Sequence, residues 1–370
     1  MCRKFYHYLP NKNYGLLKRI CSLRTAGYTA VFFLIFGCSD AENENLFLFK
    51  PHAELEKDIS HPIKHISSHN FEPELAAAQR LKDPEGLIIK TWKEWDECAE
   101  YRPYAPTAYE TNLIAGVFSN LPPVLLTLLA SNLTGYYFIE NFIGTGLTDW
   151  ILDEQGNVFC YIIFNSKVLS ENLNETLTRR EMSGYSDTEN NPDTAVRVVM
   201  SDVVSGFHYV LLHETGHVYD YSKRITPYVE PVCRFFPGHD ALTKKPSGFS
   251  SDVWSSEYKT PRQEYDFHLR KSLRYYGLGG SSVSITNAAA LYRSLSHSPF
   301  CSLYGSVNWA EDFTECLTFF YLTRILALPY RIELAFNGEV IMSVTPAETK
   351  MVRTRMVKAE QYFTRLYSSD

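Results

Sequence analysis

Closely spaced cysteines are missing from this sequence. Eight cysteines occur in 370 residues, and no spacing among them suggests a cysteine zinc site. Five follow Cys38, at Cys98, Cys160, Cys233, Cys301 and Cys316. Their odd number and irregular spacing suggest no disulfide framework, and Cys316, in an apolar helical stretch, is expected to be a buried free thiol. Internal repeats and low-complexity tracts are absent, which excludes a solenoid or propeller. The Gly144-Thr145-Gly146 loop is not followed by Gly-Lys-Ser/Thr, so it is no phosphate loop. Basic excess is missing as well. Six of the 36 Lys and Arg lie within residues 1–37, where no acid occurs, which leaves 30 basic against 42 acidic side chains. An acidic body at −12 argues against nucleic acid as a partner.

What is present is enough for a large core. The hydrophobic fraction is 45% and the aromatic fraction 14%, which excludes global disorder. The basic N-terminus has its own explanation. Lys12, Lys18, Arg19 and Arg24 precede an apolar run from Ala30 to Phe36, too short for a finished membrane span but laid out as a secretory signal. The run ends in Leu34-Ile35-Phe36-Gly37-Cys38, which resembles the bacterial lipobox, whose cysteine is acylated. The expected organisation is a lipoprotein signal over 1–37, a flexible polar tether over 38–70 and one catalytic-sized domain over 71–370. Cys38 would then carry the lipid that holds the protein to a membrane of the bacterial cell envelope. Ser39 after it points to the outer membrane. An ordinary signal cut nearby, or a retained anchor, is the alternative.

Along the domain, helical periodicity is expected over residues 75–81, 87–98, 108–118, 124–129 and 173–182. Strand composition marks 136–143 and 158–164, with a turn at Asp153-Glu154-Gln155-Gly156-Asn157. A helix is expected over 264–276 and a strong apolar helix over 308–326. Asn337-Gly338 marks a hairpin, and Thr345-Pro346-Ala347-Glu348 reads as a capping box for a last helix with a Val352, Met356, Ala359, Phe363, Leu366 stripe. His239 is a loop histidine, open to a ligand role or none.

The chemistry lies in His213-Glu214-Thr215-Gly216-His217. Histidines four apart share one helix face and reach one metal ion, and the glutamate beside the first points at the open position, where it can take a proton from water. Val203, Val204, Phe207, Val210 and Leu211 recur at helical spacing before it, and Ser201 or Asp202 stands where an N-cap belongs. No histidine follows at the short spacing of metzincins, so a third ligand must come from elsewhere. Glu311 is the best candidate, with Glu315 on the same helix face to accept the free N–H of a ligating histidine. The bland alternative is an Asn308–Glu311 cap with Glu315 solvated.

Tyr304-Gly-x-x-Asn308-x-x-Glu311-x-Phe313-x-Glu315, together with His213-Glu-x-Gly-His217, resembles the catalytic core of lethal-factor-type zinc metallopeptidases, within the gluzincins. The resemblance covers residues near 200–325 and implies an α+β, zincin-like fold with a small sheet, an active-site helix and a mainly helical C-terminal part. It implies Zn2+ held by His213, His217 and Glu311, with Glu214 as general base and Tyr304 assisting the transition state. Glu315 falls where the family places a carboxylate behind the ligands, and Asp220 matches an acid one turn beyond the motif. The interval from His217 to Glu311 is longer than the family core needs, which marks residues 222–300 as an insertion. The expected activity is hydrolysis of a peptide or protein substrate, with the strand over 158–164 as the edge along which the peptide pairs. A surface lipoprotein with a structural or vestigial zinc site, acting as a binding module, is the rival.

Overall fold

The computed structural model describes residues 60–227, 248–257, 259–277 and 282–367. The expected signal segment, Cys38, most of the expected tether and His239 lie outside these residues. The architecture is mixed α+β, with small sheets and several helices.

The larger sheet has strand order β1-β2-β4-β3, from β1 (Arg102–Pro103), β2 (Leu133–Glu140), β3 (Gly146–Leu152) and β4 (Val158–Asn165). β2 and β4 run parallel, while β3 is antiparallel to β4. The strand expected as the peptide-pairing edge, 158–164, is therefore internal, and β3 is the edge beside it. β3 escaped the composition reading because Gly146 and Asp149 are poor strand formers; tertiary partners make the burial of Thr148 and Asp149 tolerable. Residues alternate between the faces of the sheet. Tyr136, Phe138, Ile162 and Phe164 enter the main core, whereas Tyr137, Ile139, Tyr161 and Ile163 enter a smaller one under α1 (Leu87–Trp95). Pro122-Pro123 separates α2 (Ala108–Ser119) from α3 (Pro123–Asn132), which bend by 111°. No single described helix is long and apolar enough to cross a membrane.

Residues 60–70, read from composition as tether, pack against this sheet. Ile63 is fully buried, His65 bridges Leu152, and the His69 ring stacks on Tyr161 at 4.9 Å. Lys64 pairs with Asp149 and lies 3.9 Å over the Trp150 ring. Within this polar segment Ile63, Lys64 and His69 are buried, and the lysine has a buried counter-charge.

The second sheet, order β5-β8-β9, joins β5 (Thr194–Val199) to the hairpin of β8 (Arg331–Phe336) and β9 (Glu339–Val344). Its turn places Asn337 and Gly338 at φ 50° and 81°, as a two-residue hairpin loop demands. Two short strands, β6 (Trp254–Glu257) and β7 (Thr260–Pro261), pair within the region read as an insertion.

α4 (Leu173–Ser183) is closed by an Asn172–Glu175 capping box and leads through β5 to the central helix, α5 (Gly206–Lys223). The start of α5 differs from expectation. Ser201 Oγ instead accepts from the Val203 and Val204 amides in a turn, and Ser205 caps the helix. The helix expected over 264–276 is a chain of 3-10 turns with left-handed breaks at Leu269 and Tyr276. Buried Arg270 holds that path by donating to Asp266, to the Ser306 carbonyl and to the Lys259 carbonyl. α6 (Ala288–Ser296) follows, then α7 (Trp309–Phe320), extended by a π-helical turn at Tyr321–Ile325. The final helix, α8 (Lys350–Tyr367), starts after a 3-10 turn at Pro346–Glu348. Thr345 makes no side-chain cap there; Thr349 Oγ1 accepts from the Val352 amide at 3.3 Å. Cys160, Cys301 and Cys316 are buried free thiols, and Cys98 is disulfide-bonded.

Candidate metal centre

α5 and α7 cross where neither carries a bulky side chain. A Cβ on Gly216 would lie 2.8 Å from Thr314 Cγ2 and 3.3 Å from the Thr314 Cα, so glycine is what allows the two helices this approach. The contact brings His213 and His217 of α5 opposite Glu311 and Glu315 of α7. Asn308 caps α7 by accepting from the Ala310 and Glu311 amides. The cap and a site role for Glu311 are compatible, because the Glu311 backbone serves the cap and its side chain does not.

His213, His217 and Glu311 each offer one ligand atom within 4.8 Å of the others, the one such group among the described residues that can hold a metal ion. The imidazole centroids are 5.0 Å apart. Glu311 Oε2 lies 3.3 Å from His213 Nε2 and 3.5 Å from His217 Nε2. That oxygen is buried and has no hydrogen bond of good geometry. Three converging ligand atoms, on buried His213 and half-buried His217 and Glu311, with one oxygen left orphaned, fit a cation between them.

The other ring nitrogens are occupied. His213 Nδ1 lies 3.0 Å from Glu315 Oε1, so it carries a proton there, and Nε2 is the nitrogen left to face Glu311 and to bind a metal. His217 Nδ1 lies 3.3 Å from Thr314 Oγ1. Glu315 is fully buried and saturated. Tyr209 Oη donates to its Oε1 at 2.7 Å, while Arg180 and Ser302 donate to its Oε2 at 2.7 and 2.5 Å. Arg180 also donates to Tyr209 Oη and to Glu181, and Tyr292 donates to the other Glu181 oxygen at 2.7 Å.

Electrostatics follow from this packing. Burial would raise Glu315, but the Arg180 charge and the His213 hydrogen bond hold it down at about 2. Burial would depress His213, yet its close contact with Glu311 and its hydrogen bond with Glu315 lift it to about 10. His217 is raised against its burial by the Glu311 charge. Burial would likewise raise Glu311, but the charge on His217 and contacts to both histidines hold it well below the usual carboxylate range.

Glu214 stands apart from the donor set. It is 3% exposed, and its Oε2 accepts from Thr148 Oγ1 of β3 at 2.8 Å. Burial raises its pKa, with the histidine charges opposing. Tyr304 closes the other side, its ring centroid 5.8 Å from that of His213 and 5.2 Å from the Arg180 guanidinium carbon. Burial and the Glu311 charge push its hydroxyl well above the ordinary tyrosine range, so it remains a proton donor.

Asp220 is turned to other work. Its carboxylate accepts from the Thr226 amide at 2.6 Å and the Thr226 hydroxyl at 2.7 Å, just past the end of α5. Sequence reasoning missed Thr148, Arg180, Tyr209, Ser302 and Thr314. Tyr209 had a signal, since it precedes His213 by four residues and so shares its face. Nothing local marks the others.

No family model matches the chain, and neither a curated protein nor a solved structure matches it.

Proposed function

We propose that this protein is a zinc-dependent metallopeptidase of zincin-like fold, akin to the gluzincins its motifs resemble. We place it in the bacterial cell envelope, lipid-anchored through Cys38, and acting on a peptide or protein substrate. The observation that carries the reading is Glu214, a buried carboxylate beside a convergent donor set to which it does not belong. A structural site has no use for such a base.

Zinc held by His213, His217 and Glu311 would supply a Lewis acid that polarises a carbonyl and acidifies water. The chain supplies the rest. Glu214 accepts a proton from the attacking water and passes it to the leaving amine. The protonated Tyr304 hydroxyl donates to the oxygen on which charge develops. Glu315, locked by Arg180, Tyr209 and Ser302, keeps His213 in the tautomer a ligand needs.

The test uses zinc-loaded protein, a peptide library and detection of new N-termini, with a chelator control. Glu214→Gln should keep zinc and fold but lose roughly a hundred- to ten-thousand-fold in rate. Cleavage that survives both Glu214→Gln and chelation would assign the activity to something else. Biological function retained in Glu214→Gln would favour the binding lipoprotein. For the anchor, mass spectrometry of the mature N-terminus should find an acylated Cys38; an unmodified start elsewhere removes the lipid and leaves the peptidase reading intact.

A further inference from the structure

The base is held from outside its own helix. Thr148 is 9% exposed and sits on β3, on the face turned to the main core, as does Gly146 two residues earlier. Its hydroxyl lies 2.8 Å from Glu214 Oε2 and 3.1 Å from the Glu214 carbonyl. At Gly146 a Cβ would meet Glu214 Oε1 at 2.8 Å, Val210 Cγ1 at 2.9 Å and Glu214 Cγ at 3.1 Å. The two positions of β3 that face Glu214 therefore carry a single donor and a hydrogen. One secures Oε2, and the other leaves Oε1 the room it fills.

We infer that β3 sets the working position of Glu214: Thr148 holds the carboxylate by Oε2, and Gly146 leaves Oε1 free to take the water's proton. This rests on the peptidase reading. The physical reason is the burial. A carboxylate taken out of water needs a donor to stay in one place as an anion, and the oxygen that carries no donor is the more basic one and the one open to a proton. Thr148 meets that need without occupying the other oxygen. It is a positioning residue, since it acts through Glu214.

The variants are Thr148→Val, which keeps the shape and removes the hydroxyl, Thr148→Ser, which restores it, and Gly146→Ala. All are made in the full chain and loaded with zinc. Zinc content, kcat and KM are measured on a peptide the wild type cleaves, and the Glu214 side chain is located in crystals of Thr148→Val. Thr148→Val should keep zinc and KM while kcat falls roughly ten- to a hundred-fold, the usual consequence of losing one hydrogen bond to a charged group. Thr148→Ser should recover most of that loss, which a merely structural role for the threonine methyl would not allow. Gly146→Ala should also lower kcat with zinc retained, by pushing the carboxylate aside. Wild-type kcat in either Thr148→Val or Gly146→Ala overturns the inference, as does an unmoved Glu214 carboxylate in the Thr148→Val crystals. If the wild type cleaves nothing, the peptidase reading fails, and the carboxylate position still decides whether Thr148 holds Glu214.

Discussion

Two buried charge clusters lie on opposite faces of the larger sheet, and adjacent residues of one strand serve them. Thr148 faces Glu214, the neighbour of His213, and Asp149 faces Lys64. The Lys64 cluster is closed: Asp149 Oδ1 takes Lys64 and the Trp150 amide, and Oδ2 takes Tyr161 Oη at 2.7 Å. Trp92 Nε1 donates in turn to Tyr161 at 3.1 Å. The histidine cluster is saturated behind Glu315 and open in front, where Glu311 Oε2 has no partner. Both clusters are buried and both hold charge, so burial of charge alone marks neither as functional. The distinguishing feature is a carboxylate oxygen without a hydrogen bond that converges with two ring nitrogens.

The comparison can be broken most strongly from the closed side. Lys64→Met leaves Asp149 buried without its cation and should cost about 3–5 kcal/mol in denaturant unfolding. The Lys64→Met/Asp149→Leu double variant should recover much of that loss. Zinc content should be unchanged in both; a loss of zinc would mean that the two clusters are coupled through β3. From the open side, Glu315→Gln weakens the acceptor that fixes the His213 tautomer. Zinc affinity should fall by roughly ten- to a hundred-fold as the Glu311 contacts persist. Unaltered affinity would make Glu315 a packing residue.

Acidity sharpens the contrast further. His213 is raised to about 10 in the metal-free protein, so its imidazolium persists at neutral pH and an entering cation must displace the proton. Affinity for zinc should therefore rise as pH rises towards that value, about tenfold per unit for each proton displaced. Competition with a chromophoric chelator at several pH values reads this directly. A flat profile would show that the histidines are already neutral. The smallest effect is expected at Gly216→Ala. Its methyl meets Thr314 at 2.8 Å, an overpacking cost of about 1–3 kcal/mol against roughly 1 kcal/mol of helix propensity gained. Net stability should drop slightly; a gain would mean that Thr314 rotates away freely.

The legible part of this molecule was the part written in local spacing. Histidines four apart, carboxylates four apart and Asn337-Gly338 each impose geometry within one element, and the structure places them accordingly. What stayed hidden depends on partners distant in sequence. β3 reads poorly because Thr148 and Asp149 are polar, yet each is buried against a residue from another element. Arg180 reads as an ordinary helix arginine until Glu315, 135 residues away, meets it. The failed helix over 264–276 has the same origin. Its apolar pattern is genuine, but Arg270 bonds to three groups that a continuous helix would not bring to it.

The central claim is that the open cluster holds one metal ion through Glu311 as well as the two histidines. Metal analysis after exhaustive dialysis, on wild type and on Glu311→Ala in parallel, tests it most directly. The account predicts about one zinc per wild-type chain and almost none in Glu311→Ala, with both proteins folded. Equal zinc in the two would contradict it.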